Sequence, residues 1–266
     1  MMLKLGWFST GRGTGSRGFL ELVQGQIAAG RLDALIEFVF TNRERGEAEG
    51  SDRFQEMVKG YGIPSVSLSS QRYQREHGGG PWARHRDGFH RQAMEMLSGY
   101  RPDVCVLAGY MLITSGEMCR RYSMLNLHPA LPGGPKGTWQ QVIWQLIERH
   151  ADRSGVMVHV ATEELDAGPV AGYCSFPIRS GDFDPLWKAV EGRPVSELQR
   201  EGEEQPLFKC IRAEGLRRER PLLLVVLRAL AAEELRVSAG QVVDGSGRPA
   251  KPKDMNAEVE RLLAGR

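Results

Sequence analysis

Leu3-Lys4-Leu5-Gly6-Trp7-Phe8, followed shortly by Gly13-Thr14-Gly15-Ser16-Arg17-Gly18, is the stretch from which the architecture can be read. An apolar run of strand length passes through a glycine-rich turn into an amphipathic segment, Phe19 to Ala29. The alternation then repeats. Leu35 to Phe40, Ser65 to Leu68, Asp103 to Ala108 and Met124 to Leu127 are strand-like, with helix-like segments at Asp52 to Tyr61 and Trp82 to Leu97 between them. Strands joined by helices imply parallel pairing with right-handed crossovers. The expected fold is therefore α/β, a Rossmann-like, mostly parallel sheet flanked by helices. In the third helix, Trp82, Phe89, Ala93, Met96 and Leu97 are expected to form the buried stripe. Beyond Asp166 the pattern predicts a strand from Val170 to Ile178, an irregular polar stretch from Arg179 to Gln205 and a long helix from about Leu207 to Glu234. A turn-forming, mobile tail over residues 244–252 and a short terminal helix from about Asn256 complete it.

The glycine motif matches G-x-G-x-x-G letter for letter, which alone suggests a dinucleotide site. That reading calls for an acid at the tip of the second strand, where this chain has Thr41-Asn42-Arg43. Arg43 and Arg45 would suit a 2′-phosphate, so an NADP-binding protein stays open as one reading. In either case the glycines and the amides at a helix start favour a phosphate, with Ser16 and Arg17 close by.

The remaining chemistry gathers at the carboxyl ends of later strands, the edge where open parallel sheets bind ligands. In Met124-Leu125-Asn126-Leu127-His128-Pro129, positions 126 and 128 share one face of a strand. About forty residues on comes Glu163-Glu164-Leu165-Asp166-Ala167-Gly168-Pro169. An amide donor, an imidazole and a carboxylate can stabilise an oxyanion and move protons. Gly109-Tyr110-Met111-Leu112-Ile113 and Pro132-Gly133-Gly134-Pro135-Lys136-Gly137 would wall the pocket, an apolar lining suited to a flat heterocycle.

Bulk composition narrows the classes. With 266 residues, 41% hydrophobic and a net charge of +2, the chain can bury one large core or two small ones. Near-neutrality makes no general case for nucleic acid or membrane as partner. The longest apolar run, Pro221 to Ala232, is broken by Arg228 and is too short for a span, while the N-terminus leads directly into a strand. A soluble, cytoplasmic protein is expected. Cys105, Cys119, Cys174 and Cys210 have no C-x-x-C pairing and read as ordinary small apolar residues, so no metal is expected.

Taken together, N-L-H-P-A-L-P-G-G-P-K-G, L-A-G-Y-M-L-I, S-G-V-M-V-H-V-A-T-E-E-L-D-A-G-P-V and the early G-T-G-S resemble the folate-dependent formyltransferases, nearest to the glycinamide ribonucleotide type. The likeness runs from about residue 3 to 240 and is strongest from Asp103 to Val170. It implies a formyltransferase domain over 1–238, with a phosphate-binding half to about 102, a folate and catalytic half over 103–238, and an extension at 239–266. It further implies transfer of a formyl group from 10-formyltetrahydrofolate, a co-substrate, to the amine of a phosphorylated small molecule such as glycinamide ribonucleotide. Asn126 and His128 would stabilise the oxyanion and Asp166 would hold the imidazolium. Gly13, Thr14, Gly15 and Ser16 would take the phosphate. Met111, Leu112, Ile113, Ala161, Thr162, Glu163, Glu164 and Leu165 would contact folate, and Gly137 the ribonucleotide.

Departures from the family pattern bear on the acceptor. Leu112 replaces a basic residue and Trp139 a histidine, and the place of the acid that holds the ribose falls on Leu216 by simple alignment, with Glu214 and Glu219 close by. An altered amine would fit these changes. The arginines at 212, 217, 218 and 220 read as a solvated helix face. Hydrolysis of the same folate by a deformylase is the competing reading, and the expected company is small molecules, with room for a homodimer.

Overall fold

Leu5, Trp7 and Phe8 on the first strand are wholly buried, as an apolar strand covered on both faces must be. This strand, β1 (Leu3–Ser9), leads through α1 (Thr14–Ala28), β2 (Ala34–Thr41), α2 (Glu49–Gly60) and β3 (Ser65–Ser67) to α3 (Ser70–Glu76). Then follow α4 (Arg86–Met96), β4 (Val104–Leu107), α5 (Gly116–Arg121), β5 (Met124–His128), α6 (Trp139–Glu148), β6 (Arg153–Val160) and β7 (Val170–Pro177). The chain closes with α7 (Asp184–Val190), α8 (Val195–Leu198), α9 (Pro206–Ala231), β8 (Leu235–Ser238), β9 (Gln241–Asp244), β10 (Lys253–Asp254) and α10 (Asn256–Leu263). The structure is a computed structural model and describes residues 2–265.

Two compact units divide the chain. One runs as far as Asn126 and adds Val160–Pro169 and Leu227–Pro249. Its strands pair in parallel in the order β3-β2-β1-β4-β5. The core beneath them is aromatic: Phe8, Phe38, Phe40 and Phe89 are fully buried, with Met118 and Met124 beside them. Phe8 meets Phe38 edge-on at 5.7 Å, an orientation that aligns ring edge with ring face. The β8–β9 hairpin also belongs to this unit.

The other unit comprises Leu127–His159, Val170–Val226 and the chain from Ala250. Here β7 runs antiparallel to β6, and β10 joins the far side of β7 in parallel. Its core combines Val142, Ile143 and Ile147 of α6 with Phe176, Leu207, Phe208 and Ile211. Helix α6 starts at a capping box, in which the Thr138 side chain accepts from the Gln141 amide and the Gln141 side chain accepts from the Thr138 amide.

The six predicted strands are found as β1 to β5 and β7, but β6, the β8–β9 hairpin and β10 were not expected, the stretch read as a mobile tail is bridged from Pro249 to Val243, and several helices differ. Helix α1 begins at Thr14 rather than Phe19, so the glycine motif forms its first turn. The expected third helix is broken: Trp82–Arg84 is a 3-10 turn and α4 starts only at Arg86. Met96 is 44% exposed, and the buried stripe runs instead through Phe89, His90, Ala93, Met94 and Leu97. Including a buried histidine and Met94 rotates the apolar face away from Met96. The stretch from Arg179 to Gln205 is not irregular. It forms α7, α8 and two 3-10 segments, Gly181–Phe183 and Gln199–Glu204, anchored by the buried Phe183, Val190 and Leu198. Among the described residues no helix is long and apolar enough to cross a membrane.

Candidate active site

The glycine loop is built around a hydroxyl. Gly13 is the N-cap of α1 and supplies no side-chain cap, and no acid stands in the first turn. The amides at this helix start are thus not offset by a local negative charge, the electrostatic arrangement that suits an anion. Ser16 is buried. A Cβ at Gly109, on the loop after β4, would lie 2.3 Å from Ser16 Oγ, and Gly109 has φ +69°, so this glycine answers both a close approach and a left-handed turn.

Thr10 laces that loop to the next one. Its amide donates to the Gly109 carbonyl at 3.0 Å, its Oγ1 accepts from the Met111 amide at 2.9 Å, and its carbonyl accepts from Ser51 Oγ at 2.8 Å. Sequence reasoning passed over Thr10; its place at the tip of a buried strand was the available signal. The wall residues it steadies present apolar side chains outward. Met111 is 72% and Ile113 49% exposed, and Leu112 is half-buried against the aromatic core.

The loop from Val160 to Pro169 belongs to the same unit. It is closed at its base by the Val160 amide donating to the Pro169 carbonyl at 2.8 Å, and it is tied to β5 by the Ala161 amide donating to the Met124 carbonyl at 2.7 Å. A Cβ at Gly168 would stand 1.8 Å from the Val160 carbonyl oxygen, so only glycine lets the two legs close. Within the loop, Thr162 Oγ1 donates to the Glu164 carbonyl and Leu165 is 51% exposed. Glu163 faces Arg120 at 3.5 Å. Asp166 is half-buried with φ +52°, a left-handed conformation that aspartate tolerates better than most residues.

Strand β5 carries both Asn126, half-buried, and His128, buried. His128 Nε2 lies 2.8 Å from the Pro135 carbonyl. A carbonyl only accepts, so Nε2 carries a proton and Nδ1 is the nitrogen whose protonation changes. The His159 ring sits 6.3 Å away, edge-on. Gly137 has φ +111°, and a Cβ there would meet Gln141 Oε1 at 2.4 Å, within the cap of α6. Trp139 is occupied by packing: its ring lies 4.5 Å from the Arg212 guanidinium and 5.8 Å from Phe208.

The basic residues of the other readings are engaged. Arg43 donates to Ser70 Oγ at 3.0 Å, and its own pKa is lowered by burial first, with Arg12 lowering it further against Glu47. Arg45 pairs with Glu56 at 2.6 Å. On α9, Arg212 pairs with Glu219, Arg217 with Glu214, and Arg218 with both Glu214 and Glu260. Arg218 is buried, which corrects the reading of this cluster as a wholly solvated face. Cys105 and Cys174 are buried and their thiols are pushed up by burial, Cys174 to about 12, whereas Cys119 and Cys210 are half-buried.

Residues 13–183 match the formyl transferase family. The chain belongs to that family. It is a folate-dependent formyltransferase, and its fold is the formyltransferase fold. The phosphoribosylglycinamide formyltransferase of Escherichia coli is 30% identical over 161 residues, 58% of this chain and 70% of that one. The solved phosphoribosylglycinamide formyltransferase from Coxiella burnetii superposes with a TM-score of 0.66 at 21% identity, covering 96% of this chain and 99% of the other. A formyltetrahydrofolate deformylase from Pseudomonas syringae shares the fold at TM-score 0.61 and 19% identity, covering 92% of this chain and 66% of that one.

Proposed function

We propose that the enzyme transfers a formyl group from 10-formyltetrahydrofolate to the amine of a phosphorylated small molecule, with glycinamide ribonucleotide or a close relative as acceptor. The observation that carries this reading is the Thr10 lacing, which couples an uncapped helix start to an exposed apolar loop within one unit. The first suits the acceptor's phosphate through Gly13, Thr14, Gly15 and Ser16, and the second a flat heterocycle at Met111, Leu112 and Ile113. Ala161, Thr162, Glu163, Glu164 and Leu165 would complete the folate wall. Gly137 would meet the ribonucleotide.

In this scheme the folate supplies the formyl carbon. Asn126 donates a hydrogen bond to the formyl oxygen as it gains negative charge, and protonated His128 adds a cationic donor there. Each is worth on the order of 3 kcal/mol by analogy with oxyanion-hole deletions. With Nε2 held on Pro135, the mobile proton of His128 is the one on Nδ1. Asp166 would favour the imidazolium and help take the proton leaving the amine. Trp139 and the 46% exposed Leu216 stand where the resemblance expects a histidine and an acid, which supports an acceptor modified around its sugar.

The test is consumption of 10-formyltetrahydrofolate with and without glycinamide ribonucleotide. Loss that depends on the acceptor supports the proposal. Loss of equal rate without it means that water is the acceptor and the enzyme is a deformylase.

A further inference from the structure

His90 is fully buried on α4, and both of its ring nitrogens are engaged. Nδ1 lies 3.1 Å from the Ser115 amide and Nε2 lies 3.1 Å from Tyr110 Oη. A backbone amide can only donate, so Nδ1 is a bare acceptor and the proton of the neutral ring sits on Nε2, directed at the tyrosine oxygen. Burial lowers the ring's pKa to about 4, which agrees with this neutral tautomer.

The two partners bracket the apolar wall. Tyr110 immediately precedes Met111, and Ser115 follows Thr114 while capping α5 through its Oγ, which accepts from the Met118 amide. Between these pins the Trp82 indole donates to the Ile113 carbonyl at 3.4 Å, and the indole ring itself lies edge-on to His90 at 5.8 Å. Met111 and Ile113 point largely into solvent and cannot position themselves by packing. Their backbone must be held from behind, and one imidazole reaches both ends of the segment.

We propose that His90 is a positioning residue for reduced-folate binding, a clamp that sets the spacing between Tyr110 and Ser115 and thereby the surface offered by Met111, Leu112 and Ile113. This rests on the reading of residues 111–113 as a folate wall.

The two halves of the clamp can be separated. Asparagine at 90 retains an acceptor near the Nδ1 position for the Ser115 amide but cannot reach Tyr110. Glutamine retains a donor near Nε2 and gives up the Ser115 contact. The Kd for 10-formyltetrahydrofolate is measured directly, alongside kcat and both KM values with glycinamide ribonucleotide, in His90→Asn, His90→Gln, Tyr110→Phe, His90→Asn with Tyr110→Phe, and Met111→Asp. The clamp predicts a Kd for folate raised about five- to tenfold in each His90 variant, as expected for one net hydrogen bond. It also predicts kcat at saturating folate within about twofold of wild type, and a double variant no weaker than the worse of its parents. An unchanged folate Kd in the His90 and Tyr110 variants, with Met111→Asp clearly weakened, overturns the clamp and leaves the wall. An unchanged Kd in Met111→Asp as well shows that the folate wall itself was misread. Parallel loss of folate affinity, acceptor affinity and melting temperature assigns His90 to packing alone.

Discussion

Ser16 Oγ occupies the space that a side chain at Gly109 would need, 2.3 Å from the Cβ position. The glycine loop and the loop after β4 are therefore mutually templated. Gly109→Ala meets both this clash and the strain of φ +69°, and is expected to cost about 1–3 kcal/mol of stability and to weaken phosphorylated acceptors. Thermal melts and calorimetric titration with glycinamide ribonucleotide check it. Adding Ser16→Ala should recover part of the melting temperature without recovering the affinity, because the hydroxyl itself is then gone.

The proposed chemistry separates binding from turnover. His128→Ala and Asp166→Asn should each abolish formyl transfer while the Kd for 10-formyltetrahydrofolate stays within a few-fold of wild type. Asparagine is the informative replacement at 166, since it accepts the observed φ of +52° and so changes charge without adding backbone strain. Parallel loss of rate and folate affinity would assign these residues to structure instead.

Acid should find a weak point at His90. Burial lowers its pKa from 6.5 to about 4, the Arg86 charge pushing further down while Asp87 and a hydrogen bond to the Arg86 backbone oppose. The folded chain keeps the ring neutral while the unfolded chain takes up a proton below about pH 6.5, so stability from this group is fully present above that pH. It is lost as pH falls toward 4, by roughly 3 kcal/mol at most. Melting temperatures compared at pH 7 and pH 5 should fall less in His90→Asn than in wild type. An equal fall in both would place the acid sensitivity elsewhere.

Arg218 is 7% exposed, lies over the Phe176 ring at 4.8 Å, and pairs with Glu214 at 2.6 Å and Glu260 at 2.8 Å. Arg218→Ala removes a partner shared by α9 and α10, leaving Glu214 with Arg217 and taking Glu260's contact away. A loss of about 2–4 kcal/mol is expected by denaturant titration. Arg217→Ala, on the exposed side of the same helix, should cost under about 1 kcal/mol.

Strands β1 to β5 were legible because burial writes itself as apolar runs, as in Val104–Leu107, whereas β6 and the later short strands β8 to β10 were not read. Asn126 and His128 drew notice through their two-residue spacing on a strand, and the glycine loop through its own spacing; their roles are those proposed above. What escaped depends on long-range partners. His90 looks like a solvent residue until Tyr110 and Ser115 are beside it, and with Met94 it turns the apolar face away from Met96. The segment over 179–205 hid its short helices because Phe183, Val190 and Leu198 are too far apart to show a period, yet each is buried once α6 and α9 supply the other side. Arg218 reads as solvent-facing in any local window and becomes interior only when Glu260 arrives 42 residues later.

Gly168 has a consequence for how this enzyme can change. Its missing side chain lets the chain touch Val160 and close the loop that carries Asp166, so the acid's address is written two residues away from the acid. Drift among the exposed residues Glu163, Glu164 and Leu165 can retune what the loop touches, while the clasp at its base keeps the carboxylate where it is. Under the proposed role of Asp166, specificity and chemistry can thus be altered separately on one ten-residue segment, and a lineage that loses the clasp is expected to lose the reaction even with its aspartate intact.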